Sequence, residues 1–165
     1  MNLTLADREI VLKAVKQSGY ALEHADKSLK ADREIVIMVK KVYKKEEGEA
    51  TDCFDFIELA DSIHESLGDK EWAKKVYKKA EDKVEGLKSF SSENISDFRL
   101  LAESIHKNLG DEEWARKLYY AAFYKTVSQQ VPVGGGELFD LAESIRNNLG
   151  DKELAKEVDE QALYR

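Results

Sequence analysis

A leucine-led segment built around a Leu-Gly-Asp turn occurs three times: LADSIHESLGDKEWAKKVYKKA from Leu59, LAESIHKNLGDEEWARKLYYAA from Leu101 and LAESIRNNLGDKELAKEVDEQA from Leu141. Its glycines, Gly68, Gly110 and Gly150, lie 42 and then 40 residues apart, a period typical of stacked helical repeats. Apolar residues keep helical spacing on both sides of each glycine. Leu59, Ala60, Ile63 and Leu67 share one face of a first helix, and Trp72, Ala73, Val76, Tyr77 and Ala80 share one face of a second. Gly68 is predicted to end the first helix in the left-handed conformation, and Asp69 to cap the second. So short a connection leaves only antiparallel neighbours.

A shorter repeat precedes these. ADREIV at Ala6 to Val11 returns at Ala31 to Val36, 25 residues on. Asp7 and Asp32 stand at N-cap positions, each followed two residues later by a glutamate (Glu9, Glu34) that suits the positive end of a helix dipole. Ile10, Val11, Ala14 and Val15 form an apolar stripe in the first copy, as do Ile35, Val36, Val39, Val42 and Tyr43 in the second. Gly19 is predicted to stop the first helix with a left-handed residue, and Tyr20, Leu22, Ala25 and Leu29 to form a short helix packing back on it.

Ala6 to about Lys41 resembles a family of short bacterial helical repeats, on D-R-E-I-V, the following A-V-K-Q, G-Y-A-L and the second D-R-E-I-V. That resemblance implies a helical fold and no particular chemistry. The longer units, roughly Asp52 to Ala162, resemble tetratricopeptide-type repeats. Their second helices, EWAKKVYKKA and EWARKLYYAA, are similar to the half-a-tetratricopeptide variant, with a small residue, a basic pair and an aromatic before a closing alanine.

Differences between copies identify slots. Trp72 and Trp114 give way to Leu154, which reads as a packing position that asks only for a large apolar group. Tyr77 and Tyr119 give way to Asp159, which reads as a solvated end cap. Connectors are expected at Glu46 to Cys53, Gly86 to Ser96 and Ser128 to Gly136. The expected architecture is all-α, a right-handed, α-solenoid-like stack of antiparallel helical hairpins with about nine helices and roughly two-thirds of its residues helical, above the base rate of roughly one-third. Residues 1–48 form the N-terminal short repeats. Residues 49–165 form three hairpins, about 52–85, 94–128 and 137–164, packed as one unit.

Charge and motif content narrow the function. With 33 acidic against 26 basic side chains and a net charge of −7, a nucleic-acid partner is not expected. Lys40, Lys41, Lys44 and Lys45, and likewise Lys74, Lys75, Lys78 and Lys79, read as solvated faces towards helix C-terminal ends. Cys53 is the only cysteine, so neither an internal disulfide nor a cysteine zinc cluster forms, which suits a reducing compartment. No apolar run approaches a signal peptide or a membrane span, and the expected location is the cytoplasm, with no membrane partner. G-x-S-x-G, G-x-x-x-x-G-K-[ST] and G-x-G-x-x-G are all missing, and Gly134, Gly135 and Gly136 follow no predicted strand. The expected protein is not an enzyme and carries no cofactor.

Two patterns bear on binding. Asp61 and His64, and Glu103 and His106, repeat an acid-x-x-His spacing that puts carboxylate and imidazole on one helix face, as in carboxylate-bridged metal bundles. The third copy has Glu143 and Arg146 there, and arginine cannot ligate a metal. An acid three residues before a cationic group near a helix C-terminus accounts for all three copies as structure. His64 and Glu65 also open H-E-x-x-H, which fails at Gly68, and His24 reads as a boundary residue. The second pattern is aromatic. Tyr119 is expected to face its hairpin partner, while Tyr120, Phe123 and Tyr124 run beyond that face as core or as a binding strip.

The leading expectation is a non-enzymatic scaffold, monomeric, that binds a protein or peptide in the groove of its first helices. Asp61, His64, Glu103, His106, Glu143 and Arg146 would line one edge, an acidic groove would select a basic peptide, and Tyr120, Phe123 and Tyr124 offer a second surface. The alternative is a metal-binding helical bundle using His64 and His106, with Asp61 and Glu103.

Overall fold

The computed structural model describes residues 5–87, 89–130 and 135–164. Their order is α1 (Leu5–Gln17), a 3₁₀ segment (Gly19–His24), α2 (Lys27–Lys30), α3 (Arg33–Glu49), α4 (Cys53–Leu67), α5 (Lys70–Glu85), α6 (Ser92–Leu109), α7 (Glu112–Ser128), α8 (Gly135–Leu149) and α9 (Lys152–Leu163). The fold is all-α, 86% helical, with no strand among the described residues. That exceeds the expected two-thirds because the helices extend into the connectors: α3 runs to Glu49, and α6 already starts at Ser92. Among the described residues ten helical elements replace nine because the short second helix of the N-terminal repeat is split into the 3₁₀ segment and α2. The connector over Ser128 to Gly136 lies partly, at 131–134, outside the described residues.

The chain divides into two compact units, Met1–Val76 and Tyr77–Arg165. In the second unit α6 packs with α7 and α8 with α9, and α8 also touches both α6 and α7. Ile95, Phe98, Leu101 and Ile105 of α6, Leu118 and Tyr119 of α7, Leu138, Leu141 and Ile145 of α8, and Leu154 and Val158 of α9 are buried. In the first unit α1 packs on α3 and the 3₁₀ segment, and α4 touches both the 3₁₀ segment and α3. Val15, Leu22, Ile35, Val39, Tyr43, Phe56, Leu59 and Ile63 form its core.

The glycine turns form as expected. Gly68, Gly110 and Gly150 have φ of 63°, 69° and 64°, left-handed values that favour glycine. Asp69, Asp111 and Asp151 then accept from the backbone N–H of Trp72, Trp114 and Leu154 at 3.1, 3.1 and 3.0 Å.

Three local expectations are corrected. Gly19 is not a left-handed stop: it opens the 3₁₀ segment and is buried against Tyr43, where a Cβ would sit 2.1 Å from Cε1 of the ring. Close approach of another side chain, not backbone freedom, requires glycine there. Asp7 does not cap α1, which begins at Leu5 and places Asp7 in its first turn. Asp32 does cap α3, accepting from Glu34 N and Ile35 N at 3.0 and 3.1 Å. Ile10 is 64% exposed, so the buried stripe of α1 is narrower than its sequence spacing implies.

Successive helix pairs are joined by recurring polar contacts. Asn148 Nδ2 donates to the Tyr119 hydroxyl at 2.8 Å, Asn108 Nδ2 donates to the Tyr77 hydroxyl at 2.8 Å, and the hydroxyls of Tyr43 and Ser66 are hydrogen-bonded to each other at 2.9 Å. Ser66, Asn108 and Asn148 fill one repeat slot, two residues before the turn glycine. Tyr119 therefore reaches the following hairpin rather than only its own partner helix, correcting the expectation above. Three residues before Tyr43, Lys40 pairs with cap Asp69 at 3.7 Å. Three residues before Tyr119, Arg116 pairs with cap Asp151. α3 thus carries the slots of a second hairpin helix, with the 3₁₀ segment and α2 as its short partner.

The tryptophan slot is not purely apolar either. Trp72 Nε1 donates to Glu47 at 3.1 Å, so the ring brings a polar requirement that Leu154 lacks. Where leucine replaces tryptophan, Phe123 stands in the slot that Glu47 fills in α3, four residues after the tyrosine.

Burial pushes Tyr119 up to about 12, and Tyr43 higher still. A tyrosine whose folded pKa lies above its unfolded value of about 10 contributes stability that is intact below pH 10 and lost as pH rises towards 12. Chemical denaturation at pH 9 and 11.5 is expected to show this loss, and Tyr119→Phe to reduce it. An equal loss in the variant would mean that Tyr119 does not titrate in this window.

Candidate functional site

A cleft of about 230 Å³ opens in the first unit. The C-terminal end of α3 contributes Glu46, Glu49 and Ala50, the first two turns of α4 contribute Asp55, Glu58 and Leu59, and the 3₁₀ segment contributes Tyr20. Glu46 and Glu49, like Asp55 and Glu58, are three residues apart on their helices, so each pair shares a face.

The four carboxylates are not equivalent. Asp55 belongs to the cap of α4: it accepts from Thr51 N at 2.8 Å, Thr51 Oγ1 at 3.2 Å and Asp52 N at 3.3 Å. Donation from the Thr51 backbone holds its carboxyl below the usual carboxylate range. Glu46 is shifted the other way, raised chiefly by burial and further by Glu49, against a hydrogen bond from the Gly19 backbone that favours its ionised form. Glu49 pairs with Lys45 at 3.4 Å, and Glu58 is exposed.

An aromatic wall backs these acids. Tyr20 meets Tyr43 edge to face at 6.5 Å between centroids, and Tyr43 meets Trp72 at 6.4 Å. Burial raises the pKa of the Tyr20 hydroxyl, against the nearby Ser62 side chain, which favours its ionised form. Tyr43 is fully buried and Leu59 is 3% exposed, so the apolar walls are held by the core. Carboxylates beside an aromatic face and an aliphatic floor suit a cationic side chain with an apolar stem.

The residues singled out from the sequence are placed elsewhere. Glu103 accepts from Arg99 at 2.8 Å and from the Ser144 hydroxyl, so its carboxylate joins α6 to α8. Arg146 donates to Asp159. His64 is half-buried, with a Nδ1 that is buried and has no hydrogen-bond partner. Asp61 and His106 are half-buried, and Glu143 is exposed. Among the described residues no group of three or more His, Cys, Asp or Glu is arranged to hold a metal ion. Phe123 is 5% exposed and belongs to the core. Tyr124 is exposed and stacks on half-buried Tyr120 at 5.8 Å with rings 10° apart.

The cleft was legible in part as the acidic run from Glu46 to Glu58 across the connector, which reads as charge neutralisation until α3 and α4 are placed side by side. No described helix is long and apolar enough to cross a membrane.

Residues 7–47, from the first turn of α1 to near the end of α3, match the model of a family described as a domain of unknown function, DUF4116. No curated protein and no solved structure matches the chain.

Proposed function

We propose that this chain is a non-enzymatic helical-repeat scaffold that binds a basic peptide segment, and that the cleft between the end of α3 and the start of α4 receives it. The observation that carries this reading is the cleft itself, in which Glu46, Glu49, Asp55 and Glu58 surround Tyr20 and Leu59. Elsewhere the polar side chains of the repeats are largely engaged in holding helices together, as the contacts of Glu103, Asn108, Asn148 and Arg116 illustrate. A lysine or arginine entering the cleft would place its stem on Leu59 and Tyr20 and its charge among the carboxylates.

The test is a titration of the full chain with a short lysine-rich peptide, followed by amide chemical shifts. Perturbations are expected at Ala50, Asp55 and Leu59, with affinity falling as salt rises. Binding about ten-fold weaker is expected in Glu49→Gln/Glu58→Gln, since both glutamates are exposed and an exposed ion pair contributes at most about 1 kcal/mol. No shift at these positions, or binding indifferent to the double substitution, would remove the assignment.

A further inference from the structure

We infer that the cleft is the vacated position of a helix, and that its occupant is a basic α-helical segment of another polypeptide that completes the first hairpin. This rests on the peptide-binding reading above and specifies the partner. It begins from the equivalence of the two units. In the second, α8 touches both helices of the preceding hairpin, α6 and α7. In the first, α4 touches both the 3₁₀ segment and α3. The 3₁₀ segment therefore stands where α6 stands, and α3 where α7 stands.

One polar contact sets the register. Ser144 of α8 donates to Glu103 of α6. Ser62 fills the same repeat slot in α4 and lies near enough to the Tyr20 hydroxyl to favour its ionised form, so Tyr20 takes the place of Glu103. The full first helices extend well before that place: α6 begins at Ser92, eleven residues before Glu103, and α4 begins at Cys53, eight before Asp61. The 3₁₀ segment begins at Gly19, one residue before Tyr20. About two helical turns, roughly 12 Å of helix, are missing from the first hairpin.

In α6 those turns carry Ile95 and Phe98, both fully buried. In the first unit the chain before Gly19 is α1, which packs on α3 and the 3₁₀ segment, and the space left beside the end of α3 and the start of α4 is the cleft. A surface shaped by two helices to hold a third is the setting for helix-in-groove recognition. Charge selects the occupant. A helix of this repeat type would bring mixed charge, whereas Glu46, Glu49, Asp55 and Glu58 face the gap, so the segment that fits has an apolar residue for Leu59 and Tyr20 flanked by lysine or arginine one turn away on either side.

The test compares two labelled peptides of about twelve residues against the full chain by fluorescence anisotropy. One is an alanine-rich helix former with leucine at its centre and lysines one turn on either side. The other has a central proline beside that leucine and the same charge. The helical peptide is expected to bind about ten-fold or more tightly than the proline peptide, to gain helical circular dichroism on binding, and to weaken by a similar factor with Glu49→Gln/Glu58→Gln. Equal affinity for both peptides would overturn the helical occupant and leave the basic-peptide function standing. Binding of neither would overturn both. Helical-peptide binding undiminished by the double substitution would place the site outside the cleft.

Discussion

Gly19→Ala is expected to destabilise the chain by about 3 kcal/mol, the upper part of the range for overpacking, measured by urea denaturation. The added Cβ would lie 2.1 Å from Tyr43 Cε1 and 2.7 Å from both Cδ1 and Cζ, far inside van der Waals contact, so the ring or the 3₁₀ segment must move. The ring is confined. Tyr43 is fully buried, its hydroxyl is held by Ser66 at 2.9 Å, and Tyr20 and Trp72 meet it edge to face. Movement of the 3₁₀ segment would instead displace Tyr20 from the cleft wall. Shrinking the ring in Gly19→Ala/Tyr43→Leu should leave alanine at 19 costing much less than in the wild-type background, because the clash is specific to the ring. Equal costs of Gly19→Ala in both backgrounds would show that the ring is not what demands glycine.

Tyr119→Ala is expected to cost about 4 kcal/mol, as large-to-small changes at fully buried aromatics do. Tyr119→Phe is expected to cost about 1 kcal/mol, the net value of one hydrogen bond. The difference separates the ring's packing from its hydroxyl, which accepts from Asn148. The informative comparison is Asp159→Ala, at the same repeat position in α9. Asp159 pairs with Arg146 on a partly exposed surface, with side-chain exposures of 30% and 42%, and its loss is expected to cost about 0.5 kcal/mol or less. Guanidinium denaturation of the three variants checks all of this. If Tyr119→Ala and Asp159→Ala cost the same, the tyrosine slot does not join one hairpin to the next.

Much of the local structure was readable because its causes lie within four residues. The left-handed glycines at 68, 110 and 150 and the aspartates that follow them satisfy orphan backbone groups of adjoining helix ends. Where the local reading failed, a distant group intervened. Gly19 looked like a helix stop, and the ring that requires it is Tyr43, 24 residues on. The tryptophan slot looked indifferent to polarity, and the carboxylate serving it is Glu47, 25 residues before Trp72. Glu103 looked like a ligand or a groove residue, and its second partner is Ser144, 41 residues away.

The candidate site shows the same division. Its acids are plain in the sequence as Glu46, Glu49, Asp55 and Glu58, yet they straddle a connector and belong to two helices. Their convergence on Tyr20 depends on the first hairpin having a shortened first helix, and residue order does not reveal which helix of a pair is short of a neighbour. Periodicity, caps and turn glycines by themselves determined that this chain is a series of helices joined in hairpins, because those signals act along the backbone over one or two turns. Only the tertiary structure decided which tyrosine meets which amide, why residue 19 is glycine, and that four acids from two helices line one cleft with Tyr20, because these depend on side chains that burial brings together from distant positions in the chain.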